Sequence, residues 1–78
     1  MAKLTQREKI IRHLDAFGTI DPMVAIKDYG IMRLASRISD LRKEGYAIVT
    51  TMVHGLNRFH EKTRYAEYSW EVLENDKR

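Results

Sequence analysis

Apolar and polar positions alternate with two different periods along this chain. From about Thr5 to Phe17 the apolar residues Ile10, Ile11, Leu14 and Phe17 recur at helical spacing, which predicts one amphipathic helix. Thr5 and Glu8 stand three apart, the spacing at which each satisfies an orphan amide of the first turn. Gly18 follows as a stop, and Thr19-Ile20 reads as a short extended link. Asp21 and Pro22 then predict a second, short helix over 22–29, with Asp21 as cap and Pro22 at a position that needs no amide. Gly30 ends it with an expected positive φ. A third helix is expected from Ile31 or Met32 to Glu44, with Ile31, Leu34, Ala35, Ile38 and Leu41 on one face.

After Gly45 the period changes. Residues 46–53 are rich in β-branched side chains and predict a strand. Residues 54–63 are polar and carry the turn formers Gly55 and Asn57. Residues 64–70 alternate, with Ala66, Tyr68 and Trp70 on one face and Tyr65, Glu67 and Ser69 on the other. The expected fold is mainly α with a β-hairpin: three helices and two strands around a loop of about ten residues. Residues 1–70 form the domain, and the charged residues 71–78 form a tail expected to fray.

Composition narrows the function. A chain of 78 residues has little room for a deep catalytic cleft, which favours a binding module. The absence of cysteine removes disulfides, thiolate metal sites and a cysteine nucleophile. No apolar run approaches the length of a membrane span, and the first residues lack a signal peptide's apolar centre, so the expected location is the cytoplasm. His13, His54 and His60 form no cluster that predicts zinc. No phosphate loop or nucleophile elbow is present, so neither a cofactor nor an enzymatic activity is expected. The net charge of +3 is uneven: residues 1–64 hold twelve Lys and Arg against seven Asp and Glu, and residues 65–78 hold two against four.

The order of elements and several residue clusters carry a resemblance. Gly30 and Ile31, Leu34, Arg37 and Ile38, Leu41, then Glu44, Gly45 and Tyr46 resemble the third-helix pattern of bacterial winged-helix regulators. Residues 5–70 are similar throughout to a small helix-turn-helix family of phage and prophage genomes. Residues 5–10 (TQREKI), 30–35 (GIMRLA), 37–42 (RISDLR) and 57–59 (NRF) carry that likeness. It implies a winged helix-turn-helix: the third helix enters a DNA major groove and the hairpin, or wing, lies on the backbone or in a minor groove.

On the third helix, Met32, Arg33, Ser36, Ser39, Asp40 and Lys43 point away from the apolar face, with Arg37 on the flank. Arg33, Ser36 and Arg37 are candidates for base readout, Asp40 is a candidate on the same DNA-binding face, and Lys43 is a candidate for a phosphate. The same residues also fit a solvated surface on which Arg33 and Arg37 pair with Asp40. Arg42 lies beside the apolar face and is expected to pack its stem there. In the wing, Asn57, Arg58, Lys62 and Arg64 are the candidate contacts. Phe59 has two readings, a wedge against a sugar or base step and an anchor folded back on the domain. The cost of an exposed aromatic favours the anchor. Lys3 and Arg7 are secondary backbone candidates.

The reading that follows is a sequence-specific double-stranded DNA-binding protein, most simply a phage or prophage transcriptional regulator. An excisionase-like architectural factor and a module that binds a host protein are the alternatives. A free hairpin edge offers one route to a homodimer.

Overall fold

A computed structural model describes residues 3–72. The elements run α1 (Gln6–Phe17), β1 (Thr19–Ile20), α2 (Pro22–Tyr29), α3 (Leu34–Lys43), β2 (Ile48–Leu56) and β3 (Lys62–Trp70). Both helix starts expected from their caps are present. The Thr5 amide donates to Glu8 Oε1 at 2.8 Å, and the Glu8 amide donates to Thr5 Oγ1 at 3.2 Å. The Val24 amide donates to Asp21 Oδ1 at 3.0 Å.

The hydrogen bonds from the Thr5 backbone and then its hydroxyl hold the Glu8 carboxyl below its ordinary value, and Arg12 and Arg7 add to the effect. A lowered folded pKa contributes stability that is present above the unfolded value and lost as pH falls through the folded one. Glu8→Gln keeps an acceptor for the Thr5 amide but removes the titration. Its thermal midpoint is therefore expected to fall less than the parent's on acidification below the ordinary glutamate range. Parallel midpoint-versus-pH curves would reject this.

α3 is shorter than its apolar spacing suggested. It begins at Leu34 and ends at Lys43, with Glu44 as its cap. Gly30 sits in the left-handed region at φ 67°, and residues 30–33 make the turn between α2 and α3. Ile31 is fully buried yet lies outside the helix, its amide donating to Ala25 O at 2.9 Å. Burial therefore placed Ile31 on the stripe without making it helical. Ala35, expected on the core face, is exposed, because it lies about 100° around the helix from Leu34 and past the flank filled by Ile38 and Leu41. Phe17 is likewise exposed. Its ring leans on His13 at 4.7 Å between centroids, and His13 takes the buried position. His13 Nδ1 lies 2.5 Å from the Tyr29 hydroxyl, joining α1 to α2.

The sheet has three strands, not two. Its order is β1-β3-β2, all antiparallel, with Thr19 opposite Ser69 and Ile20 opposite Tyr68. Two residues carry no readable period, but Ile20 is buried and so is its partner Tyr68. The hairpin strands also run further than expected, from Ile48 opposite Trp70 to Leu56 opposite Lys62. The connecting loop is therefore the five residues 57–61 rather than about ten.

The core joins Ile10 and Leu14 of α1, Ile20, Ala25 and Ile31, Leu34, Ile38 and Leu41 of α3, and Ile48 and Tyr68 of the sheet. Arg42 packs at the edge of this core as expected and also bonds across it. Its Nε donates to Ile48 O and its Nη2 to Thr50 Oγ1, each at 2.8 Å, and its guanidinium lies 5.9 Å from the Tyr68 ring centre. Trp70 Nε1 donates to Asp15 Oδ1 at 3.0 Å, tying β3 to α1. Glu71, expected as the first residue of the tail, is held to the domain by its amide, which donates to Ala47 O at 2.9 Å. The remainder of that expectation, residues 73–78, lies outside the described residues.

Candidate nucleic-acid interface

The turn delivers α3 with its first residues open to solvent. Arg33 stands at the N-cap position and makes no side-chain cap bond. The amides of that first turn therefore keep their capacity for water or an anion. Gln6, Gly30, Met32, Arg33 and Arg37 line one shallow depression, so two of the three base-readout candidates share a surface with the start of α1. Arg33 and Lys43 are exposed, and Ser36, Arg37 and Asp40 are half-buried.

Arg37 Nη2 pairs with Asp40 Oδ2 at 3.3 Å, one helical turn away, and its Nε is enclosed without a hydrogen-bond partner. The solvated-surface reading thus holds for Arg37. Arg33 has no such pair among the described residues. A half-exposed ion pair is worth little, so the Arg37 guanidinium can exchange Asp40 for a phosphate or a base at small cost. Arg7, a secondary backbone candidate, is paired with Glu44 and joins α1 to the end of α3.

The register decides where the hairpin's charges point. Successive strand residues alternate faces, and directly opposed residues share one. Tyr68 marks the face on the core, so Ala66, Arg64 and Lys62 stand on that face, and so do their partners Met52, His54 and Leu56. Beyond the helices this face becomes cationic. Lys62 and Arg64 are exposed and, with Arg58 in the loop, have no carboxylate within ion-pair distance among the described residues. The basic end of the wing therefore continues the sheet face against which α3 packs.

The loop itself is built by Asn57. Its Oδ1 accepts from the Phe59 amide at 2.8 Å and from the Glu61 amide at 3.0 Å. Its Nδ2 donates to Glu61 Oε1 at 2.8 Å. Asn57 was a candidate contact, but the structure commits both ends of its amide to the turn. Phe59 corrects the expectation more sharply. It does not fold back as an anchor; it is 79% exposed at the tip. It is not among the side chains packed on the core, and the five-residue loop carries it past the ends of both strands. Sequence reasoning also passed over His54 and Leu56, which share the cationic face; the alternation would have found them once the loop length was known.

Among the described residues no group of three His, Asp or Glu side chains converges to hold a metal, and no helix is long and apolar enough to cross a membrane. A family model described as a winged helix-turn-helix domain matches residues 5–72. No curated protein and no solved structure matches significantly.

Proposed function

The chain belongs to the winged helix-turn-helix domain family, and from that premise we propose that it is a sequence-specific double-stranded DNA-binding protein, a transcriptional regulator of phage or prophage type. The observation that carries this reading is the shared face: Lys62 and Arg64, with no carboxylate partner among the described residues, extend the sheet side on which α3 packs, and Arg58 stands in the loop at its end. α3 enters the major groove start first, with Arg33, Ser36 and Arg37 toward base edges and Lys43 toward a phosphate. The wing cations take the neighbouring backbone or minor groove. Such a protein needs no cofactor and works in the host cytoplasm, at the nucleoid.

Titration into labelled random duplex at several salt concentrations tests the binding, and selection from random DNA then supplies the site. Affinity is expected to fall steeply with salt. On the selected site, Arg33→Ala is expected to cost about 1–3 kcal/mol and to relax preference at one base pair. A uniform loss over all sequences would make Arg33 a phosphate contact instead. Paired half-sites about one helical turn apart would indicate a dimer, for which the outer edge of β2 is free among the described residues.

One observation favours a second reading, a host-protein contact. Pro22, Met23, Ile26 and Tyr65 line an apolar groove of about 450 Å³ between α2 and β3. Absence of DNA binding at low salt, with one host protein retained stoichiometrically on the immobilised chain, would favour it.

A further inference from the structure

We propose that Phe59 is an apolar wedge that the wing sets against a base step of duplex DNA, kinking it; this rests on the DNA-binding reading. Three observations converge on the ring. First, 79% of Phe59 is exposed, which costs free energy unless a partner covers it. Second, the tip is built rather than loose. Two amides converge on Asn57 Oδ1, the Asn57 amide donates to Glu61 O at 3.0 Å, and the His60 amide donates to Asn57 O at 3.0 Å. His60 closes the turn at φ 63°, in the left-handed region that non-glycine residues rarely adopt. The loop therefore holds its apex residue outward at a fixed place. Third, the surroundings are cationic. Arg58 precedes the ring, Lys62 and Arg64 follow on the sheet, and the one carboxylate of the loop, Glu61, is engaged by Asn57.

An aromatic ring between cations that have no carboxylate partner among the described residues matches a chemistry that is apolar in the middle and anionic at both sides. A stack of bases between two phosphate strands has that arrangement. Cations hold the strands while the ring enters the step and partly unstacks it, as apolar side chains do in minor-groove binders. Leu56, exposed on the face shared with Lys62 at the last pair before the loop, adds a second apolar group at the end of the wing.

The test uses the full chain and a duplex with donor and acceptor dyes at its ends and 2-aminopurine scanned through its steps. The parent is expected to shorten the end-to-end distance and to brighten 2-aminopurine at one step. Phe59→Ala should abolish both signals and weaken binding about tenfold, with an unchanged salt slope. Phe59→Leu, which keeps an apolar wedge, should retain most of the bend. Both variants should melt with the parent, since Phe59 is already 79% exposed and stands outside the core. If the parent binds with its salt dependence and Phe59→Ala bends the duplex equally, the wedge is overturned and DNA binding stands. If the parent binds no duplex even at low salt, both readings fall. A host protein lost on Phe59→Ala, with bending unaltered, would assign the ring to a protein contact and overturn the wedge.

Discussion

Ile38→Ala is expected to lower unfolding stability by about 2–5 kcal/mol, the range for removing a large aliphatic side chain from a closed core. Ile38 has no exposed surface and is the middle of the three buried residues of α3. The missing atoms leave a void that flanking helices and sheet cannot fill without moving. A domain of this size has only about 4–12 kcal/mol of stability in total. One substitution therefore removes a large fraction of it, and the fold sits near the edge of unfolding at ordinary temperature. Urea denaturation followed by circular dichroism reads the change as a lower midpoint with an unchanged slope. Ala35→Ser, one position past Leu34 and exposed, should stay within about 0.5 kcal/mol of the parent. A loss below about 1 kcal/mol for Ile38→Ala would mean that α3 does not close the core as described.

The second large effect concerns binding. Replacing Arg58, Lys62 and Arg64 together by alanine removes three cations with no carboxylate partner among the described residues. If each neutralises one phosphate, the slope of log affinity against log salt falls by about 2.7. Between roughly 50 and 200 mM salt the variant should then lose about 40-fold less affinity than the parent loses. All three side chains are exposed, so folding should be unaffected. Lys27→Ala, on α2 and away from the wing, separates local contact from general charge and should leave the slope as it was. An unchanged slope in the triple variant would place the DNA elsewhere on the domain.

Much of this architecture is legible in the residues, and each part that is not has its own physical reason. The starts of α1 and α2 depend on caps within three positions, so Thr5, Glu8, Asp21 and Pro22 announce them. The start of α3 does not, because Ile31 is buried by the turn and imitates one more residue of the helical stripe. β1 is illegible for a different reason. Thr19 and Ile20 become a strand only because Ser69 and Tyr68 arrive beside them from far along the chain. The candidate cations were visible as a charge excess, but the face they occupy depends on the hairpin register and hence on a five-residue loop. Asn57 and Phe59 show both sides of that loop. A turn former is recognisable by type, yet whether its amide is spent internally, and whether the neighbouring ring finds cover, are settled only by where the loop ends relative to the helices.

The bond from Trp70 to Asp15, 55 positions apart, and the pairing of β1 with β3 fasten the beginning of the domain to its end. This sets an order of events during synthesis. α1, α2 and α3 leave the ribosome with their apolar stripes facing water, and the strand that completes their cover is made last. Such distant closures slow folding relative to a bundle with only local contacts, and incomplete chains expose adhesive surface. The domain can thus be completed only once β3 has been made.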